Sequence, residues 1–143
     1  MTDLAHWRAV GRVRWICGPL EDAREHQAWT GTAWRVRGST FAHVLEIRAG
    51  RPPAYARLFE TDGPATVLTF QCRPDERAAL AHARPPFYLP RWRPGIAGLV
   101  LNENTDWQHV SELLADSYAV CLSAPRQRAP AVQAPPRSRA PRS

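Results

Sequence analysis

The chain has 143 residues, room for one ordinary domain, and its 44% apolar content with six tryptophans can build a core without disulfides or metal. Its net charge is +6 and all 19 cations are arginines, so every positive group is a planar, permanently charged guanidinium. No apolar run approaches the roughly 20 residues that cross a bilayer, and no cationic start leads into an apolar stretch at the N-terminus, so a cytoplasmic protein with no membrane partner is expected.

Residues 3–17 read as a helix, with Val10, Val13 and Cys17 on one face and Leu20 extending it, closed by Gly18-Pro19. From about 24 to 72 the pattern turns to strands. Arg24 to Trp29 forms the first, closed by Thr30-Gly31-Thr32. Trp34 and Val36 then alternate with Arg35 and Arg37, the period of a half-buried strand. Gly38-Ser39 makes a tight turn, after which Phe41, His43, Leu45 and Ile47 share one strand face. Tyr55 to Glu60 is read as a further short strand, and Thr66 to Gln71 as one with Leu68 and Phe70 together.

Pro74-Asp75-Glu76 opens a second helix, with proline in the first turn and acids at the positive end of the dipole, and Arg84-Pro85-Pro86 stops it. Residues 87–98 are loop, and Gly98 to Asn102 forms the last strand. Thr105 and Gln108 make a capping box for a third helix running to about Leu122, with Val110, Leu113, Leu114, Ser117 and Cys121 on one face. Beyond Ala124 the chain carries five prolines and five arginines with Val132 as its one large apolar residue. Such a segment cannot bury enough surface to offset its ordering entropy. Two parts follow: an α+β domain over 1–123, and a disordered arginine–proline tail over 124–143. In the first, 14 arginines against 13 acids leave +1, so the basic character belongs to the tail.

The five histidines, His6, His26, His43, His82 and His109, show no zinc spacing, and His43 reads as a hydrogen-bonded core residue. Cys17, Cys72 and Cys121 form neither a CxxC pair nor a disulfide framework and read as buried small hydrophobes. No phosphate loop or nucleophile elbow is present, and neither a cofactor, a metal nor an enzyme is expected. Two features point to a binding surface. Arg35 and Arg37 leave one strand face beside the hairpin turn, and Pro90-Arg91-Trp92-Arg93-Pro94 sets two guanidiniums around an aromatic ring. These can hold phosphates while Trp92 stacks. The competing reading is a solvated strand face and a tryptophan that folds back over the core.

The run Gly31-Thr32-Ala33-Trp34-Arg35-Val36-Arg37-Gly38-Ser39-Thr40-Phe41-Ala42 resembles a "GTPAFRVRGKMFA" segment of the MmcQ/YjbR family of small bacterial proteins. Asp106 to Tyr118, DWQHVSELLADSY, is similar to that family's "DWDEVAELVRDSY" ending, and Phe70 to Ala83 to its strand and "DPEERAAL" helix. The likeness spans residues 8–126. It departs at Gly95-Ile96-Ala97-Gly98-Leu99-Val100, where relatives carry "GRGWV". The resemblance implies a CyaY-like, double-wing fold, an antiparallel sheet packed with about three helices, and a DNA-binding label. The expected function is then a non-enzymatic nucleic-acid-binding module, DNA ahead of RNA. Arg35, Arg37, Arg91, Trp92 and Arg93 serve as contacts, and the tail, including Arg126 and Arg128, adds phosphate attraction. The alternative is a protein-interaction or chaperone-like adaptor using an exposed sheet face.

Overall fold

The computed structural model describes residues 4–83 and 87–123; the tail expectation and the Arg84-Pro85-Pro86 stop lie outside them. In chain order the elements are α1 (Leu4–Cys17), β1 (Arg24–Gln27), β2 (Thr32–Val36), β3 (Ser39–Ile47), α2 (Pro53–Phe59), β4 (Ala65–Gln71), α3 (Pro74–Leu80), β5 (Ile96–Leu101) and α4 (Trp107–Ser123). The strands form one antiparallel meander in the order β1-β2-β3-β4-β5. The fold is α+β, with one helix beyond the three expected.

That extra helix is α2, where a strand was expected. Pro53 stands at its first position with a ready-made helical φ. Tyr55, Ala56 and Phe59 fall on one side and pack against Leu45, Ile47 and Val67. Glu60, in the left-handed conformation, ends it. This small cluster covers part of one sheet face. The opposite face carries the main core, in which α1 and α4 bring Val10, Val13, Cys17, Val110, Leu114 and Cys121 against Trp34, Val44, Leu68 and Phe70.

Phe41 does not share a face with His43, Leu45 and Ile47. In the β2–β3 register Trp34 faces Ala42 and Arg35 faces Thr40, so Phe41 is the extra residue of a bulge. The bulge shifts the alternation by one, and Phe41 turns into the main core, edge-on to Tyr118 at 5.4 Å. The carbonyl the bulge leaves out of the ladder accepts from Ser117 Oγ at 2.6 Å.

Two local readings also change. The β2–β3 turn is centred on Arg37 and Gly38, with φ of 53° and 83°; two positive φ values give the twist that a two-residue hairpin needs. Arg37 therefore lies in the turn, outside the strand. On α4 the cap is Asp106, whose Oδ1 accepts from the Gln108 and His109 amides at 3.1 and 3.2 Å. Thr105, one residue before the cap, instead accepts through Oγ1 from the Asn102 amide at 2.7 Å and so does not form the capping box. β5 begins at Ile96, two positions before the expected Gly98.

Candidate nucleic-acid interface

Strand alternation decides which side chains meet. Trp34 and Val36 of β2 go into the main core, so Ala33 and Arg35 point the other way. Pairing of Arg24 with Arg35, and of His26 with Ala33 and then His43, continues that second face across β1, β2 and β3. α2 covers only the part around Leu45, Ile47 and Val67. Beyond α2 this face buries Ala33 and His43 at its centre and carries Arg24, His26 and Arg35 toward its β1–β2 margin. The acid of β1 faces away: Glu25 takes two bonds of 2.8 Å from Arg14 on α1, and these hold its carboxyl below the usual range. Glu46 of β3 likewise faces the α1 side, beside Arg8 and Arg12.

A row of rings borders this face. Trp29, 41% exposed, stacks on Tyr55 of α2 with centroids 6.0 Å apart, and Tyr55 meets the edge of Trp92 at 5.7 Å. Trp92 is thus half-buried against the α2 cluster, as the competing reading held. Arg93 follows it down, and Thr40, His43, Tyr55, Thr69, Trp92 and Arg93 line a cavity of about 20 Å³, the room of a single water. His43 is buried, and its Nε2–H donates to the Thr30 carbonyl at 2.6 Å. Burial, with smaller pushes from the His26 and Arg93 charges, lowers it to about 4 and keeps it neutral.

The loop that carries these residues is held from outside it. Arg77 of α3 donates to the carbonyls of Pro94, Ile96 and Pro90 at 2.8, 3.0 and 3.1 Å, and Tyr88 bridges Gly98 through two backbone bonds of 2.8 and 2.7 Å. Glycine at 98 leaves room for the Phe59 ring, since a Cβ there would stand 2.6 Å from Phe59 Cζ and push that ring aside. Arg91 is left exposed at the loop tip.

The arginines expected to act together divide. Arg35 is half-buried, bonded to the Gly38 carbonyl at 2.8 Å, and on the same sheet face that Arg93 approaches. Arg37 leaves this face and donates to the Leu122 carbonyl at 3.1 Å, where it meets the negative end of α4. Arg126 and Arg128 lie outside the described residues. Arg24, His26, Trp29 and Tyr55 join the site without having been singled out from sequence, because only the register and α2 bring them in.

Elsewhere, an open groove of about 800 Å³ runs between α1, the start of β4, the end of β5 and the start of α4, with Arg8, Arg12, Glu46, Glu103 and Trp107 on its walls. Its charges are mixed, and the Arg12 guanidinium sits over the Trp107 ring at 5.0 Å. Among the described residues no cluster of three or more His, Cys, Asp or Glu side chains could hold a metal, and no helix is long and apolar enough to cross a membrane.

A family model described as YjbR matches residues 19–120. The crystal structure of a protein from Pseudomonas syringae is similar in fold, with a TM-score of 0.59 at 13% identity, covering 78% of this chain and 97% of that one. No curated protein matches the chain.

Proposed function

Given that the chain belongs to the YjbR family, we propose that it is a non-enzymatic nucleic-acid-binding protein, with DNA ahead of RNA, and that the β1–β2 margin of its second sheet face is the contact surface. The observation that carries this reading is the placement of Arg24, Arg35 and Arg93 around one sheet face bordered by the exposed Trp29 ring. Guanidiniums on a sheet beside a part-exposed aromatic ring suit a backbone whose bases are splayed and stacked. Arg91 extends the contact at the loop tip. The five arginines of residues 124–143 add sequence-independent attraction that the near-neutral 1–123 region does not supply. No cofactor enters this role.

The test is fluorescence anisotropy with labelled single- and double-stranded DNA over a salt series. Replacing Arg24 and Arg93 together by serine is expected to weaken binding and lower the log–log salt slope on duplex by about 2, at ~0.9 per phosphate contact. Serine at the five tail arginines is expected to lower it by about 4.5 on the same basis. A double variant that binds with unchanged affinity and slope overturns the sheet face as the contact surface. A second reading, a protein partner, is favoured by one observation: the exposed tryptophans of α1, far from this face.

A further inference from the structure

We propose that α1 is a self-association surface, on which a second copy of this chain packs its own α1 antiparallel across Gly11. The inference is independent of the nucleic-acid reading, because it concerns the other side of the molecule.

Leu4, Trp7 and Trp15 are 63%, 53% and 82% exposed. With 3.6 residues per turn they fall, together with Gly11, within roughly 80° of one helix face, directed away from the buried His6, Val10, Val13 and Cys17. Single exposed apolar residues need no explanation, but two tryptophans and a leucine in one stripe form a patch that water disfavours.

Gly11 is the second observation. A glycine in the middle of a helix costs about 1 kcal/mol relative to alanine. Nothing in its own fold calls for it, since a Cβ at this position would meet no atom within 4 Å. A bare backbone on an outward face is what a second helix needs for close approach.

The spacing identifies that helix as another α1. Trp7 and Trp15 stand four residues on either side of Gly11. A two-fold axis through Gly11 therefore sets Trp7 of one copy beside Trp15 of the other, with Leu4 over the turn at Gly18. The pairing is self-complementary, as a two-fold interface must be. Charge permits it. Of the arginines that flank the stripe, Arg14 is paired with Glu25 and Arg12 lies over Trp107. Arg8 comes next to Trp15 of the second copy, where a guanidinium can stack on the indole.

The area fits a weak, reversible pair. Taking ~200 Å² for a buried large side chain, the exposed fractions amount to roughly 400 Å² per copy and ~800 Å² per pair. The stems of Arg8 and Arg12 and the backbone at Gly11 bring this to ~1,000 Å², the lower limit of a specific interface.

Sedimentation equilibrium of the full-length protein across the micromolar range tests the pairing. The expected result is a weight-average mass that rises from 16.1 kDa toward twice that value. Trp15→Glu is expected to weaken association at least thirtyfold, roughly the size of a hot-spot tryptophan. Gly11→Leu fills the crossing point while favouring the helix, so it is expected to abolish association while keeping or raising the melting temperature. A wild-type chain that stays at 16.1 kDa throughout overturns the proposal. Acrylamide quenching of that monomer then separates a bare stripe from one covered by residues 124–143, and either outcome stands against the two-fold pairing. Dimers that persist unchanged in both variants overturn it as well.

Discussion

Ser117 on α4 and Phe41 on β3 are joined by a hydrogen bond of 2.6 Å, although 76 residues separate them. The same hydroxyl accepts from the Gln71 amide on β4 at 2.8 Å. A single buried oxygen thus satisfies the carbonyl freed by the Phe41 bulge and an amide at the end of the neighbouring strand, and it fixes α4 on the sheet.

Ser117→Ala should leave the buried Phe41 carbonyl and the part-buried Gln71 amide without this partner. At ~1–3 kcal/mol for the buried group and about 1 kcal/mol for the part-buried one, a loss of about 2–4 kcal/mol is expected. Urea denaturation followed by circular dichroism measures it, and a loss below about 1 kcal/mol would show that the bulge finds other partners.

Arg77→Met should release the 90–96 carbonyls while leaving the helix intact. Three bonds from a charged donor are lost, but the loop can turn to water, so global stability should fall by only about 1–2 kcal/mol. The clearer sign is local: amide exchange in the loop and at the Tyr88–Gly98 bridge should speed up well ahead of that in β3 and β4. Uniform acceleration throughout the sheet would count against Arg77 as the holder of the loop.

His43 makes stability depend on pH. Its folded value, about 4, lies below the ordinary 6.5, so the native state binds fewer protons than the unfolded chain between these limits. The contribution is complete above pH 6.5 and is lost as pH falls toward 4, amounting to roughly 3 kcal/mol at ~1.36 kcal/mol per pH unit. Stability measured from pH 7 to 5, above the range where the carboxylates titrate, should decline in the wild type. His43→Gln, which keeps a donor for the Thr30 carbonyl, should flatten the curve.

The cysteines should be silent in the folded protein. Cys17, Cys72 and Cys121 are all buried and free, and burial pushes Cys17 up to about 12, Cys121 to about 11, and Cys72 upward as well. Thiolate is the reacting form. A chromogenic disulfide reagent should therefore find no reactive thiol in the native chain and all three in guanidinium; one fast-reacting native thiol would contradict this packing.

Much of the scaffold was legible because it rests on periodicity. α1 and α4 are amphipathic over enough residues for spacing to identify them, β2 and β4 are short runs of strand-forming residues between turn signals, and the buried cysteines and His43 follow from their apolar neighbours. Tyr55–Glu60 failed because six residues bounded by prolines hold too little pattern to separate a strand from a helix. Phe41 failed because a bulge shifts phase without changing composition. Arg37 was placed one position wrongly in its turn, which exchanged a surface contact for a helix-end partner. The candidate site was the least legible part. Arg77 works on backbone carbonyls 13 to 19 residues away, and Arg24, His26 and Trp29 acquire meaning only through the β1–β2 register.

A meander also ends in two raw edges, and the two differ. β1 exposes Arg24-Glu25-His26-Gln27, a polar rim that repels another strand. β5 reads Ile96-Ala97-Gly98-Leu99-Val100-Leu101, an apolar run without charge or proline of the kind that templates cross-β stacking. The Tyr88 backbone occupies the middle of that edge, on a loop that Arg77 keeps in place. The segment that carries Arg91 and Arg93 is thus also the stopper that keeps the last strand from recruiting its own kind.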